Sequence, residues 1–198
     1  MSVLTGAVAI ETPRLVLRQW REDDLAPFAA LNRDPEVMRF FEEPLSRERS
    51  DAWALAIAAV IDEQGWGLWA LERRDTTEFI GFTGLQVPRH PLPFMPCVEV
   101  GWRLARSAWG HGFATEAGRA SLAHAFGPLH LDEVVSMTAV PNTPSSRVME
   151  RLGMVRDLDG DFDHPGVSPG HPLGRHVLYR ISAERWHALQ GVTEIAPG

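Results

Sequence analysis

Residues Val98 to Gly127, VEVGWRLARSAWGHGFATEAGRASLAHAFG, restrict the possible folds of this chain more than any other stretch. Val98, Val100 and Trp102 alternate with Glu99, Gly101 and Arg103, which is the two-residue period of a strand. A glycine-bearing loop follows, Trp109-Gly110-His111-Gly112-Phe113-Ala114. A helical run then opens at Thr115-Glu116-Ala117 and stops at Gly127-Pro128. A strand, a tight glycine turn and a helix start together make an anion site. Successive N–H groups point outward there, and the positive end of the helix dipole favours phosphate. Gly110 and Gly112 let the backbone come close to a ligand, and Ala114 is too small to block it.

The loop is neither of the common nucleotide motifs. No acidic residue closes a second strand at the distance a dinucleotide fingerprint needs, and no Lys-Ser or Lys-Thr follows the glycines. A single Gly-x-Gly, taken alone, reads as a turn.

Two motifs in order change that reading. WGHGFATEA resembles the coenzyme A pyrophosphate loop of the GNAT superfamily of N-acetyltransferases, whose pattern is Arg/Gln-x-x-Gly-x-Gly/Ala. Gly112 and Ala114 fill its last two fixed places, and Trp109 stands in the Arg/Gln place. That departure is similar to the branch of RimJ and RimL, the ribosomal-protein N-terminal acetyltransferases. Asn142-Thr-Pro-Ser145 through Leu152-Gly153-Met154 resembles the same branch's Asn-x-x-Ser…Leu-Gly-Phe segment, with Met154 for Phe. The likeness runs from Glu11 to about Ile181. It implies an α/β (α+β) GNAT fold: one mixed, mostly antiparallel sheet flanked by helices and splayed at its central strands. It also implies acetyl-CoA as cosubstrate, held along Trp102, Arg103 and Leu104, along the loop from Trp109 through Gly110, His111, Gly112, Phe113 and Ala114 to Thr115, and by Asn142 and Ser145. The branch is often dimeric, so a homodimer is a further expectation.

Composition narrows the partners. At 198 residues, 44% hydrophobic and 23% charged, the chain suits a single globular domain over 1–198, with residues 1–9 a loose leader. A net charge of −7 argues against a nucleic-acid surface, which needs a basic face. One cysteine, Cys97, rules out an internal disulfide and fits a reducing compartment. No apolar run spans a bilayer, and the opening lacks the basic region of a signal peptide, so the expected location is cytoplasmic.

Along the chain, Leu15 to Arg18 reads as a strand, and Asp23 or Asp24 as the cap of a helix through Asn32. Ser46 caps a second helix, with Trp53, Ile57, Val60 and Ile61 on one face and an end before Gly65. Trp66–Leu71 and Phe79–Leu85 form a hairpin. Four prolines between Pro88 and Pro96 make a loop. Glu133–Val140 is a strand, and Thr143 caps the next helix with Pro144 at its first position. Met154–Leu158 pairs with Arg175–Ile181, and Ser182 starts a last helix.

Acetyl transfer to an amine needs a base, because an alkylamine is mostly protonated at neutral pH. Glu99, between Val98 and Val100, is the candidate, since low dielectric moves a carboxyl towards the working range. The competing reading is a Glu that pairs with a cation and holds the sheet. The departing thiolate needs a proton donor. Where many GNAT enzymes place a Tyr, this chain has Met149, and its one tyrosine, Tyr179, lies in the last strand. The resemblance therefore points to Ser145, against an ordinary first-turn serine bonding the backbone. Asn142 either holds pantetheine, fixes Ser145, or only caps the helix. Backbone N–H groups near Trp102 to Leu104 would meet the oxyanion.

Cys97 tempts a covalent reading but has no adjacent His, so a small apolar role is stronger. Trp109 is expected to pack over the loop and His111 to face solvent. His164, His171 and His176 match no common metal spacing, so no metal is expected, and they read as an acceptor-side or plain surface loop. The composite expectation is direct acetyl transfer to a primary amine, a protein N-terminus or a small molecule. The rival is a non-catalytic acyl-CoA-binding or regulatory protein of the same fold, in which Glu99 and Ser145 are dispensable.

Overall fold

The computed structural model describes residues 9–191, so the expected leader lies outside the described residues except for Ala9. The strands form one mixed, mostly antiparallel eight-stranded sheet, in the order β1-β2-β3-β4-β5-β6-β8-β7, flanked by helices. This is the class the sequence implies. Within the described residues the chain divides into two compact units, one of residues 9–86 and 101–121, the other of residues 87–100 and 122–191. No helix among the described residues is long and apolar enough to cross a membrane.

The first unit holds β1 (Ile10–Glu11), β2 (Leu15–Arg18), α1 (Leu25–Arg33), α2 (Arg47–Gln64), β3 (Leu68–Arg73) and β4 (Phe79–Gln86). It also holds most of β5 (Glu99–Leu104) and of α3 (Phe113–Phe126). Leu15, Leu17, Phe28, Trp69 and Leu71 are fully enclosed. Trp20 meets Phe28 edge-on at 4.8 Å, and Trp53 meets Phe82 edge-on at 5.4 Å, so aromatic contacts dominate this core. Gly81 lies at φ +136°, where a Cβ would fall 2.2 Å from the Arg103 carbonyl oxygen. Only glycine lets the two backbones approach that closely.

Ser46 caps α2 as expected, accepting from the Arg49 N–H, and Gly65 ends it in the left-handed conformation. The buried face of α2 is Ser50, Ala54, Ile57 and Ile61 rather than one that includes Val60, which is 40% exposed. Asp24, one of the two expected positions, stands at the N-cap of α1, but its side chain makes no cap bond there. It takes two hydrogen bonds from the buried Arg18 guanidinium, at 2.7 and 2.8 Å, while Arg18 Nε donates to Glu72 at 2.7 Å. Burying a guanidinium is costly unless carboxylates surround it, and here two do.

The second unit contains the first residues of β5, then β6 (Glu133–Ala139), α4 (Thr143–Arg151), β7 (Val155–Asp163), β8 (Arg175–Ser182) and α5 (Ala183–Leu189). β6 and β8 pair antiparallel from Glu133 opposite Ser182 to Ala139 opposite His176. The parallel ladder of β5 with β6 is confined to Glu99 opposite Val135. Residues 88–96 form neither helix nor strand. Asn142, not Thr143, occupies the cap of α4, because the Asn amide oxygen reaches the Ser145 N–H. Thr143 and Pro144 then become the first two helical residues. Val134, Leu178, Met149 and Leu152 are buried in this unit.

Candidate active site

The predicted anion loop takes the form the glycines allow. Gly110 and Gly112 both lie at φ +79°, and α3 begins immediately after, at Phe113. Ala114 and Thr115 therefore fall in the first helical turn. A Cβ at Gly110 would meet nothing within 4 Å, so that side of the loop is open to a ligand. The Trp109 indole N–H donates to the Leu104 carbonyl at 3.0 Å, pinning the loop to the end of β5. The ring is 39% exposed, with Arg39 over it at 5.8 Å. His111 is exposed and stacks on Phe113.

Two residues that hold this loop escape sequence reasoning. Glu116 puts a carboxylate in the first turn of α3, where it would repel an incoming phosphate. Arg14 neutralises it. Its Nε donates to Glu116 Oε2 at 2.6 Å, its main-chain N–H to Oε1 at 3.0 Å, and its Nη1 to the His111 carbonyl at 2.9 Å. The Thr12 hydroxyl adds a 2.6 Å bond to the same carboxylate. Burial opposes ionisation of Glu116, yet the bonds from Thr12 and Arg14 outweigh it and hold the group below the usual carboxylate value. The available signal was an acidic residue in the first turn of an anion-binding helix, which needs a cation from elsewhere.

Trp102, Arg103 and Leu104 lie on β5, with Leu104 buried and Trp102 half-buried. The Arg103 side chain runs among Phe41, Trp53 and Phe82, with ring centroids 4.0, 4.9 and 5.7 Å from its guanidinium carbon. Any part it takes in holding a cofactor falls to its main chain. Nη1 donates to Asn32 Oδ1 at 2.6 Å, and Asn32 in turn donates to the Ser50 hydroxyl at 2.9 Å. Asn32 and Ser50 are completely buried. Burial pushes the Arg103 guanidinium down to about 9, so it stays charged at neutral pH. Ring contacts of this kind are worth about 2 kcal/mol when desolvated, less than the several kcal/mol that removing a cation from water costs.

The second unit brings Asn142 and Ser145 together, as expected. The Asn142 amide donates to Ser145 Oγ at 3.1 Å and to Thr138 Oγ1 at 2.7 Å, and the Ser145 N–H donates back to Asn142 Oδ1 at 3.3 Å. Since Oγ accepts from Asn142, the hydroxyl hydrogen of Ser145 is directed away from it. Asn142 thus combines the cap with the orientation of Ser145. Glu99 is half-buried at the start of β5. Met149 is buried, and the Tyr179 hydroxyl donates to Glu150 at 3.2 Å. Burial, with Glu150 nearby, holds that phenol above its ordinary value.

The expected histidine group is regrouped. His164 lies 4.8 Å from His176 and 5.4 Å from His90, between ring centroids. His90 from the proline loop thus takes the place expected of His171. Burial, with His176 and His90 alongside, pushes His164 down to about 4, and burial lowers His176 as well. Both are therefore neutral at physiological pH. Cys97 is half-buried, and burial together with Glu99 raises its thiol.

Comparison with known proteins shows the family of the chain. Residues 14–155 match the acetyltransferase (GNAT) domain family. The chain is 32% identical over 154 residues to the uncharacterized protein YkkB of Bacillus subtilis (strain 168), covering 76% of this chain and 87% of that one. It is 32% identical over 171 residues to FsC-acetyl coenzyme A-N(2)-transacetylase of Aspergillus fumigatus, covering 81% and 70%. A crystal structure of an acetyltransferase (GNAT family) from Bacillus anthracis superposes with a TM-score of 0.73 at 22% identity, covering 89% of this chain and 99% of that one.

Proposed function

Since this chain belongs to the GNAT acetyltransferase family, we propose that it moves the acetyl group of acetyl-CoA directly to a primary amine. The observation that carries this reading is the loop from Gly110 to Ala114. Its two left-handed glycines run into the N-terminus of α3, and Glu116 in the first turn of that helix is neutralised by Arg14. Such a loop suits a pyrophosphate held by main-chain N–H groups.

The remaining roles are assigned residue by residue. Glu99 takes one proton from the ammonium and passes it to solvent, the neutral nitrogen attacks the thioester carbonyl, and the second proton then leaves that nitrogen to Glu99 as the amide forms. Main-chain N–H groups of Trp102 to Leu104 meet the developing oxyanion. As the carbon–sulfur bond breaks, Ser145, oriented by Asn142, gives its proton to the thiolate and regains one from solvent. The acceptor class that the two motifs suggest is that of the RimJ and RimL branch, a protein N-terminus or a similarly placed small-molecule amine.

The test is thiol release from acetyl-CoA against a panel of amines, with the acetylated product identified by mass. Transfer to at least one amine, well above hydrolysis, is the expected result. Wild-type protein that binds acetyl-CoA and acetylates nothing in the panel would count against the reading. Ser145→Ala should lower the rate less than loss of Glu99, because a thiolate leaves tolerably well unprotonated, and it should leave acetyl-CoA affinity nearly unchanged. A loss as large as that of the Glu99 variant would reassign the principal role to Ser145.

Direct transfer also predicts the behaviour of Cys97. A thiol held above its ordinary value is a poor nucleophile at neutral pH. Cys97→Ala should retain most activity, with initial-rate lines that intersect. A folded but inactive Cys97→Ala protein, together with a trapped acetyl-enzyme in the wild type, would establish a covalent route instead.

A further inference from the structure

Arg103 is a cation without an anion. Among the described residues it has no carboxylate within ion-pair distance. Of its three nitrogens only Nη1 has a hydrogen-bond partner, Asn32, and the buried Nε has none. Arg18 in the same unit shows the contrast, since its guanidinium is surrounded by Asp24 and Glu72. A guanidinium is rarely left this way, because aromatic faces replace only part of its lost hydration.

The unused donors are specific in arrangement. Nε and Nη2 share one edge of the guanidinium plane, and that edge is one of the two that bind a carboxylate with parallel bonds. Asn32 occupies Nη1 and is itself held by Ser50, so the fork is oriented by fully buried groups. Phe41 and Trp53 stand 4.0 and 4.9 Å from the guanidinium carbon. A flat carboxylate meets the two parallel donors of this edge within one plane, whereas a tetrahedral phosphate matches that planar pair less well. Phe41 is 45% exposed and lies between Asp34 and Ser46, a stretch with neither helix nor strand.

We propose that the Nε–Nη2 edge of Arg103 binds the carboxylate of the acceptor, so that the amine this protein acetylates also carries a carboxylate. The proposal rests on the transferase reading for the word acceptor, but the anion site itself is measurable without turnover. Arg103 is then a specificity-determining residue, and Asn32 positions it. Phe41, the exposed member of this wall, marks the side from which the acid enters.

The experiment is calorimetric titration of the full-length protein with matched N-acetyl amino acids and their amides, using phenylalanine, leucine and methionine pairs, with inorganic phosphate as a third arm. These probes are product analogues and need no catalysis. At least one acid should bind about tenfold or more tightly than its amide, and phosphate should not displace it. Arg103→Met should erase the preference for acid over amide, and Arg103→Lys, which keeps charge but not the fork, should retain only part of it. Far-UV circular dichroism confirms that each variant is folded. If Arg103→Met fails to fold, the lysine variant and the wild-type acid–amide comparison still decide the matter. Equal affinity for acids and amides, no binding of any acid, displacement by phosphate, or a preference that survives Arg103→Met would each overturn the proposal. Acid binding without acetylation of the matching free amino acids would instead count against the transferase reading, and would leave the carboxylate site standing.

Discussion

Glu99→Gln is expected to lower acetyl transfer at neutral pH by on the order of 10² to 10⁴-fold, the usual worth of a positioned general base. The amide keeps the size and much of the hydrogen bonding of the half-buried carboxylate, so the fold of β5 should survive the change. The sign of the pH effect follows from the substrate. In the wild type Glu99 takes the proton from the bound ammonium, so the step does not wait for solvent to supply the neutral amine. In the variant that supply is all there is, and raising the pH provides by mass action the neutral nitrogen that Glu99 would have generated. The deficit should therefore shrink steadily at higher pH. The measurement is the pH–rate profile of both proteins with one good acceptor. If their lower limbs superimpose, Glu99 is not the base, and a water chain or the half-buried His176, lowered by burial, becomes the candidate.

Gly112→Val should abolish most acetyl-CoA binding in a protein that still folds. The position has room, since a Cβ there would meet only Arg14 Nη2, at 3.6 Å. The penalty is conformational. A β-branched residue at φ +79° is strained by about 1–3 kcal/mol, and the variant loop relieves that strain by leaving the left-handed region. A pyrophosphate that needs the original conformation must restore it. That alone costs about 5- to 150-fold in affinity, before any clash of the new methyl groups with the phosphates. Calorimetry with acetyl-CoA measures the loss directly, and a wild-type dissociation constant would remove the main support for the cofactor assignment.

What could be read from the sequence divides by distance along the chain. The loop was legible because glycine spacing, the strand period before it and the helix after it are all local signals. The Asn142–Ser145 pair was legible for the same reason, although the cap was assigned one residue late, to Thr143. Arg14 and Glu116 meet across 102 positions, and no local pattern announces such a pair. The Arg103 enclosure is built from β5, α1, α2, β4 and the Phe41 stretch, each of which reads alone as ordinary core or ordinary loop. Asp24 shows the limit most simply. Its sequence context suits a helix cap, and a buried arginine six residues earlier claims its carboxylate instead. His90 was missed because its partners, His164 and His176, lie more than seventy residues downstream.

The chain leaves the first unit after Gln86 and re-enters it at Gly101. A fragment ending at Gln86 would keep Asn32 but lose the guanidinium it accepts from, and keep Arg14 but lose the carboxylate it neutralises. Gly81 would hold a backbone shape that only the missing Arg103 carbonyl explains. The unit is thus a two-piece object threaded by one polypeptide, and no single scissile position releases it. A transplant into another scaffold must carry residues 9–86 and 101–121 as a matched pair. In a circular permutant the new termini belong in the segment 87–100, outside both pieces, where opening the chain severs none of these bonds.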